Sequence, residues 1–391
     1  MKFSVSLAQF QKSLQKTLPA IPPKSTLPVL EHLNFSLEGN NLRMIATDQD
    51  ITIMSNLEVN GMENGSVLVP GRRLNEIVRA LGSAGEIEFS AKTDTYEIKL
   101  KTSSGKYGMK GINPDEYLEL PELFESERPN PNLEPGEDKK AARFTKDKIM
   151  WLANKTAFAT SSDEFRPSMT GVLFQFRGDR LNAVATDSYR LAKAVARDSE
   201  EGYPEEMDVI LPSRSVELLR KVDSDVIMSV IETNGKITHV RFDLDSTVFI
   251  TRIIDEKFPP YESVIPSETQ LQATLDKDEF LAAIKRVAIF TSSVSKQVRM
   301  SLEENAIRIF GEDEESGSKA SEEVACDYSG EKIDIGFNYK FLEEAFSAIE
   351  SADEEGSKVV IEFTDPTRPA MVKPGAGNED LLMLVMPVRL S

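Results

Sequence analysis

The segment LNFSLEGNNLRMIATD, residues 33–48, decides the fold because it occurs three times in the chain. VLFQFRGDRLNAVATD (172–187) and VRMSLEENAIRIFGED (298–313) align with it without a gap, 139 and then 126 residues further on. Apolar and polar residues alternate in each copy on both sides of a short break, which contains Gly39-Asn40, Gly178-Asp179 or Glu304-Asn305. Alternation with a period of two around such a break predicts a β-hairpin with one buried face.

A strand that leads into a helix is repeated as well. VLVPGRRLNEIVRAL (67–81) resembles VILPSRSVELLRKV (209–222) and IGFNYKFLEEAFSAI (335–349). In the first copy, Leu74 and Val78 begin an apolar stripe with helical spacing. A further helix is expected to open each repeat, near residues 7–18, 145–160 and 276–290.

These repeats predict an α+β protein of three tandem domains, each with two helices and antiparallel sheets. A period near 130 residues is too long for a solenoid, whose units have about 20–50 residues. The expected bounds are 1–126 for the N-terminal domain, 141–266 for the central domain and 267–391 for the C-terminal domain. The segment between the first two, 127–140, is polar and contains proline, which is typical of a linker.

The composition is that of ordinary globular domains, with 40% hydrophobic and 28% charged residues among 391. No apolar run approaches the roughly 20 residues that cross a bilayer. The N-terminal stretch MKFSVSLAQFQKSL lacks the apolar core of a signal peptide. Cys326 is the single cysteine, so an internal disulfide is excluded. Together these features predict a cytoplasmic protein and argue against a surface adhesin, an alternative for a chain of β-repeats.

Positive charge is concentrated on particular helices, although the chain as a whole has a net charge of −19. The predicted helices of the first two copies carry eleven basic and three acidic residues. Such faces attract phosphate groups, and no base-reading motif accompanies them, so any DNA would be bound through its backbone. Ordinary solvated helix faces are the alternative interpretation. The candidate DNA-binding residues on these helices are Lys12, Lys16, Arg72, Arg73, Arg79, Lys148, Lys155, Arg214 and Lys221.

Few residues suggest catalysis. The chain has two histidines, His32 and His239, both in strand-like segments, and no phosphate-binding loop or nucleophile elbow. No cofactor or metal is therefore expected. The repeated ATD sequence leaves one alternative open, a metal-dependent DNA-processing enzyme that uses Asp48 and Asp187.

Five stretches together resemble the bacterial DNA polymerase III β subunits, the sliding clamps. They are MKFSV at the start, TLPVLEHLNF (26–35), ATDSYRLA (185–192), KFPPYESVIP (257–266) and VMPVRL (385–390). The resemblance implies three copies of the DNA clamp fold, with helices inside and antiparallel sheets outside. It also implies a head-to-tail homodimer that closes as a six-domain ring around duplex DNA. Such a ring is a processivity factor of replication, a non-catalytic subunit of the polymerase III holoenzyme.

The resemblance also assigns residues to sites. Lys24 stands where the family has a basic DNA-contacting residue before TLP. A pocket on the second and third domains would accept short linear peptides of the replicative polymerase, the clamp loader and repair proteins. Core residues at a domain junction are the alternative interpretation of this set. The implied pocket residues are Met169, Thr186, Arg190, Leu191, Pro259, Val264, Val385, Met386, Pro387, Val388, Arg389 and Leu390.

Two departures from the family pattern fall at the rim of that pocket. Ser188-Tyr189 replaces the common Gly-His pair, and Ser263 stands where some members have Arg.

The resemblance further predicts a dimer contact between the first domain and the third. An edge strand that includes Tyr107 and Met109 would meet Ile289 and Phe290 of the other chain.

Overall fold

The computed structural model describes residues 1–118, 141–197, 203–204, 206–350, 358–375 and 380–390. The helices of this part are α1 (Leu7–Thr17), α2 (Gly71–Leu81), α3 (Lys146–Thr156), α4 (Ser213–Leu219), α5 (Lys277–Ala288) and α6 (Tyr339–Ser347). The strands are β1 (Lys2–Ser6), β2 (His32–Glu38), β3 (Asn41–Thr47), β4 (Ile51–Glu58), β5 (Asn60–Glu63), β6 (Gly65–Pro70), β7 (Glu86–Ala91), β8 (Glu97–Lys101), β9 (Lys106–Lys110), β10 (Ala141–Phe144), β11 (Gly171–Phe176), β12 (Arg180–Thr186), β13 (Arg190–Arg197), β14 (Met207–Pro212), β15 (Val226–Thr233), β16 (Lys236–Asp243), β17 (Thr247–Arg252), β18 (Leu271–Asp276), β19 (Gln297–Glu303), β20 (Ala306–Asp313), β21 (Ser318–Asp327), β22 (Ile333–Asn338), β23 (Lys358–Phe363), β24 (Ala370–Pro374) and β25 (Leu381–Val385).

The three predicted hairpins are present as β2-β3, β11-β12 and β19-β20, all antiparallel. Alternate residues of β2 are buried, as the period of two requires. The turns contain Gly39 at φ 57°, Gly178 at φ 65° and Asn305 at φ 60°. Glycine and asparagine tolerate this left-handed conformation best, which explains why the breaks in the pattern carry these residues.

One compact unit comprises residues 1–146 and 222–253. It contains an eight-stranded sheet in the order β10-β15-β16-β17-β4-β3-β2-β6 and a five-stranded sheet in the order β5-β1-β7-β8-β9. The rings of Phe3 and Phe89 stack with centroids 4.9 Å apart, and Phe10 of α1 meets both Phe3 and Phe35 edge-on. All four rings are fully buried, and each contributes roughly 1.5–3 kcal/mol by leaving water.

The second compact unit comprises residues 147–221 and 254–391. Its twelve-stranded sheet has the order β14-β11-β12-β13-β25-β24-β23-β18-β21-β20-β19-β22. Helices α5 and α6 pack together through Phe280 and Phe346, whose ring centroids are 4.5 Å apart.

The same local topology occurs three times. In each copy the first strand of the hairpin lies between the second strand and the strand that leads into a helix, as the pairs β2·β6, β11·β14 and β19·β22 show. The helices that follow those strands, α2, α4 and α6, begin at Gly71, Ser213 and Tyr339. The prediction of three α+β copies is therefore confirmed.

Neighbouring copies are joined by continuous hydrogen-bonded sheets. Strand β17 of the central copy pairs with β4 of the first, from Thr247 opposite Ser55 to Thr251 opposite Ile51. Strand β25 of the last copy pairs with β13 of the central copy in the same way. Because both of its sheets extend into a neighbour, the central copy contributes strands to both compact units.

The acidic segment 311–323 forms the end of β20, a four-residue turn and the first part of β21. Glu312 pairs with Lys319 across this hairpin, so opposite charges offset the acidity of the strands. The predicted linker 127–140 lies outside the described residues, and the domain bounds stay predictions. No helix in the described part of the chain is long and apolar enough to span a membrane.

Candidate functional site

The turn between β12 and β13 is built by the side chains of the ATDSYRL motif. Asp187 Oδ1 accepts hydrogen bonds from the backbone N–H groups of Tyr189 and Arg190, at 2.9 and 3.0 Å. Thr186 Oγ1 donates to the Arg190 carbonyl at 2.6 Å and accepts from the Ser188 N–H at 3.2 Å. Ser188 has a φ of 77°, in the left-handed region that favours glycine. This agrees with the Gly-His pair that the resemblance led us to expect at 188–189.

Arg190 is held in place from several directions. Its Nε donates to Asp187 Oδ2 at 3.0 Å, and its Nη1 pairs with Glu344. Its guanidinium lies over the rings of Phe158 and Phe341, 5.6 and 4.7 Å from their centroids. Burial lowers the pKa of Arg190, while the charge of Asp187 opposes that shift. The side chain therefore forms a fixed wall rather than a mobile cation.

Arg190 borders an apolar cavity of about 270 Å³ in the second compact unit. We call it the peptide pocket, after the expectation drawn from the sequence. Seven of the twelve residues assigned by the resemblance line it. These are Met169, Thr186, Arg190, Leu191, Pro259, Val264 and Met386.

Four other residues of the wall were not anticipated. Leu384 could have been found from the alternation of β25, since it lies two residues before Met386. Pro260 and Tyr261 stand in the quoted FPPYESV motif, but nothing in the sequence ranked them above their neighbours. Pro369 comes from the loop between β23 and β24, and no sequence pattern marks this loop as part of a site. The two rim departures, Ser188 and Ser263, also line the pocket.

The remaining tail residues, Val385, Pro387, Val388, Arg389 and Leu390, are not among those that line this cavity, and their assignment to the site stays a prediction. Val385 is buried on the opposite face of β25 from Leu384, because side chains alternate along a strand. The Val388 N–H donates to the Gly336 carbonyl at 2.8 Å, which ties the tail to β22. Pro387 is half-buried, and Arg389 and Leu390 are exposed outside the pocket.

The DNA-binding candidates of the first compact unit lie on α1 and α2, and Lys24 lies in the segment between these helices. Lys12 and Lys16 both pair with Asp223, with Nζ–Oδ distances of 3.0 and 2.9 Å. Arg72 Nη2 donates to the Pro22 carbonyl at 2.9 Å, which connects α2 to the segment that carries Lys24. The side chains of Lys24, Arg72, Arg73 and Arg79 are exposed.

The second compact unit contains the four other basic candidates. Arg214 and Lys221 are exposed, and the Lys148 ammonium reaches the Arg197 carbonyl at 3.4 Å. The surroundings of Lys155 argue against a phosphate contact. It is only 6% exposed and its ammonium pairs with Glu350 at 2.7 Å. Helix α3 turns this residue inward, so the exposed face of α3 is less basic than its sequence suggested.

Three of the four residues predicted for the dimer contact expose apolar or aromatic side chains. Strand β9 is the edge of the five-stranded sheet, and Tyr107 on it is 36% exposed. Ile289 and Phe290, at the end of α5, are 77% and 39% exposed. Met109 is 8% exposed, so its side chain belongs to the interior of its own chain and only its backbone lies on the edge.

The carboxylates considered for metal catalysis have other roles. Asp48 Oδ1 accepts from the N–H groups of Asp50 and Ile51, just as Asp187 does in the second copy. The repeated ATD sequence thus closes the same turn twice. No group of three or more His, Cys, Asp or Glu that could hold a metal occurs in the described part of the chain. Nothing favours the enzyme alternative.

Comparisons with known proteins agree along the whole chain. Three family descriptions match in order: the DNA polymerase III beta subunit N-terminal domain at residues 1–121, its central domain at 144–260 and its C-terminal domain at 262–389. The chain is 26% identical to the beta sliding clamp of Vibrio cholerae and 27% identical to that of Bacillus subtilis, with 100% of each chain covered. The crystal structure of a DnaN sliding clamp from Bartonella birtlesii bound to griselimycin superposes with a TM-score of 0.87, at 25% identity and complete coverage of both chains.

The fold and the comparisons together define a three-domain protein of the DNA clamp class. Within that class, the chain belongs to the bacterial DNA polymerase III beta subunit family, the beta sliding clamps, whose function is in DNA replication.

Proposed function

We propose that two copies of this chain close head to tail into a six-domain ring that encircles duplex DNA in the cytoplasm. The ring acts as a processivity factor without catalytic activity of its own. It tethers the replicative polymerase, and in turn the clamp loader and repair proteins. Retention on DNA is topological, so no tight local contact with the duplex is required.

The repeated strand pairing carries this proposal. The third strand of the first copy, β4, pairs with the last strand of the second, β17, and β13 pairs with β25 in the same relation. The corresponding third strand of the last copy is β21, and the last strand of the first copy is β9. Among the described residues, β9 pairs with β8 alone, and β21 has a neighbour other than β20 only at Cys326 and Asp327. We propose that the same relation is repeated between β9 of one chain and β21 of the other, which would join six copies into a ring.

Charge and apolar surface support the same contact. Strand β9 carries exposed lysines at 106 and 110, whereas β21 carries Glu322 and Glu323. Ile289 and Phe290 supply exposed apolar surface at the end of α5, whose Arg286 pairs with Glu322 of β21. We therefore place the head-to-tail interface at Tyr107 and the β9 edge on one chain and at β21, Ile289 and Phe290 on the other.

Duplex DNA would contact Lys24 and basic residues on or next to helices α1 to α4, most of which are exposed. These contacts are side-chain charges facing phosphates, so they are independent of sequence and weaken with salt. Lys12, Lys16 and Asp223 form a group in which two lysines share one carboxylate and keep a net positive charge. The proposed contacts are Lys12, Lys16, Lys24, Arg72, Arg73, Arg79, Lys148, Arg214 and Lys221.

The peptide pocket would hold the short linear peptides through which partner proteins bind. Its walls combine branched apolar side chains, prolines and two methionines, Met169 and Met386. Methionine adapts its shape to different apolar side chains, which suits a site that serves several partners.

Retention on circular DNA tests the ring. A clamp loader and ATP would first place the protein on a nicked circular duplex, and gel filtration would then separate bound from free protein. We expect co-elution with the circle and release when a restriction enzyme linearises it, with ends left unblocked. Linear DNA whose ends are blocked by bound protein should retain the clamp. Binding that survives linearisation with free ends would exclude topological retention.

A further inference from the structure

A second cavity adjoins the peptide pocket, and Tyr261 belongs to the walls of both. Its volume is about 420 Å³, and four cationic side chains line it together with one carboxylate, Glu262. We call it the basic pocket. It stands out in a chain with a net charge of −19. Its cations are Arg177, Arg180, Lys193 and Arg197.

Strand β13 runs from one pocket to the other. Leu191 lines the peptide pocket, whereas Lys193 and Arg197 line the basic pocket. Alternate residues of a strand point to the same face, and the Cα atoms of Leu191 and Lys193 are about 7 Å apart. Strand β25 repeats this relation, with Leu384 in the peptide pocket and Leu382 in the basic pocket. One sheet face therefore changes from apolar to cationic within a few residues.

The cations of the basic pocket are unequally neutralised. Arg177 Nη1 pairs with Asp208 at 2.6 Å, and Arg197 Nε pairs with Asp380 at 2.9 Å. Neither Arg180 nor Lys193 has a salt-bridge partner among the described residues. These two side chains are the ones that remain available for a bound anion.

Lys193 has surroundings that disfavour its positive charge. Burial lowers the pKa of Lys193, and the nearby charges of Arg180 and Arg197 lower it further, while Glu262 opposes the shift. Its ammonium lies 5.7 Å from the centroid of the Tyr261 ring. An anion beside Lys193 would relieve the repulsion among these cations and replace the water lost by burial.

The floor of the basic pocket is preorganised. Gln175 Oε1 accepts hydrogen bonds from Tyr261 Oη at 2.8 Å and from Asn182 Nδ2 at 3.1 Å. Tyr261 and Asn182 are buried, so this network fixes the wall between the two pockets before any ligand arrives.

We propose that the basic pocket binds the carboxylate of an Asp or Glu side chain that lies in the same peptide whose apolar residues occupy the peptide pocket. This inference rests on the proposed peptide-binding function. An extended peptide advances about 3.3 Å per residue, so the acid lies about two to four residues from the apolar anchor. A peptide side chain is favoured over a nucleic-acid phosphate because Tyr261 makes the two cavities parts of one continuous surface.

Fluorescence anisotropy with labelled ten-residue peptides tests the proposal. Each peptide carries a Leu-Phe pair and one Glu, placed two, three or four residues to either side, and each has a twin with Gln instead. We expect at least one Glu peptide to bind the wild-type protein about three- to tenfold more tightly than its twin. Lys193→Gln should reduce that ratio to below about twofold, as should raising the salt to about 0.5 M.

Lys236→Gln, at an exposed lysine of β16, is the matched control and should keep the full ratio. Unchanged binding of the Gln peptides to Lys193→Gln shows that the variant is folded. If no peptide binds the wild type, the proposed peptide function fails and this inference with it. If the Gln peptides bind but no Glu peptide gains affinity, only this inference is wrong. It is also wrong if Lys193→Gln weakens the binding of a short duplex DNA and leaves the Glu peptides unaffected.

Discussion

Met386 donates its backbone N–H to the carbonyl oxygen of Tyr189 at a distance of 2.8 Å. This bond extends the pairing of β25 with β13 by one step, onto the turn that Asp187 closes. The Met386 side chain thereby reaches the peptide pocket beside Leu191, although the two residues are far apart in the chain. The pocket is thus a direct product of the sheet that joins the central copy to the last.

Val264→Asp should abolish most peptide binding without unfolding the protein. Val264 lines the peptide pocket but is 51% exposed, so a carboxylate there costs little in the free protein. A bound apolar peptide would bury that charge, and we expect binding at least about tenfold weaker. Anisotropy with the Leu-Phe peptides measures the change. Val294→Asp, at a site that is 90% exposed, is the matched control. Equal affinity of the two variants would show that peptides bind elsewhere.

Arg73→Gln and Lys155→Met should differ in their effects on DNA binding. Arg73 is exposed on α2, whereas Lys155 is buried and paired with Glu350. Removing one phosphate contact lowers the slope of log K against log salt concentration by about 1, which we expect for Arg73→Gln only. Binding to a labelled duplex at several salt concentrations gives both slopes. A lower slope for Lys155→Met would return that residue to the DNA-binding set.

Much of the fold was accessible from the sequence because its main signal is repeated. The alternation in 33–48 and the turn residues at Gly39 and Gly178 act locally, so each copy could be interpreted without its neighbours. The sheets that join β4 to β17 and β13 to β25 could not be predicted in this way. The sequence of such a strand does not identify the strand with which it pairs, since backbone hydrogen bonding is the same for any sequence.

The candidate site was less accessible for a similar reason. Thr186 and Arg190 belong to a continuous motif and were found, whereas Pro369 enters from a loop whose position depends on tertiary packing. Lys155 shows a second limit of reasoning from the sequence. Its charge suggested exposure, but a single carboxylate, Glu350, is enough to hold a lysine inside the protein.

Asp223→Asn should make stability less dependent on pH in the acid range. Burial raises the pKa of Asp223, but hydrogen bonds and charges from Lys16 and Lys12 outweigh it, so the pKa lies below its usual value of 3.8. A lowered pKa in the folded state stabilises the protein above pH 3.8, and the gain is lost as the pH falls through the folded value. We expect the wild type to unfold at a higher temperature than Asp223→Asn at pH 7. This difference in unfolding temperature should disappear as the pH falls below 3.8 and Asp223 becomes protonated in the folded protein. The ion pairs of Asp223 with Lys12 and Lys16 are partly exposed, so they contribute at most about 1 kcal/mol to the free energy of unfolding.

Asp245→Asn is the control for that experiment, since Asp245 is an exposed carboxylate of the same compact unit. Calorimetry at a series of pH values measures all three proteins. A gap between wild type and Asp223→Asn that persists unchanged in acid would mean that the lysine pairs do not cause it.

Cys326 should react slowly with iodoacetamide in the folded protein. Burial raises the pKa of its thiol to about 11, and the charge of Asp327 adds to the shift. At pH 8 the thiol is then almost entirely protonated, whereas an ordinary exposed cysteine has a reactive thiolate fraction at that pH. We expect complete labelling within minutes in urea but little in the native protein, as measured by mass spectrometry. Equally fast labelling in both conditions would mean that the reagent reaches Cys326, near the end of β21, in the folded protein.

The double substitution Ile289→Asp with Phe290→Asp should convert dimers into monomers. Both side chains are exposed in the single chain, so the charges are hydrated there, but closing the proposed interface would bury them at a cost of several kcal/mol. Light scattering coupled to gel filtration should report half the wild-type mass. Phe165→Asp, at an aromatic residue that is 97% exposed, should remain dimeric. Lys106→Glu with Lys110→Glu should weaken the dimer more at low salt than at high salt, because the proposed interface would then bring acidic residues of β9 near the acidic residues of β21. Full-mass dimers of the Ile289 and Phe290 variant, together with salt-independent association of the lysine variant, would place the interface on other strands.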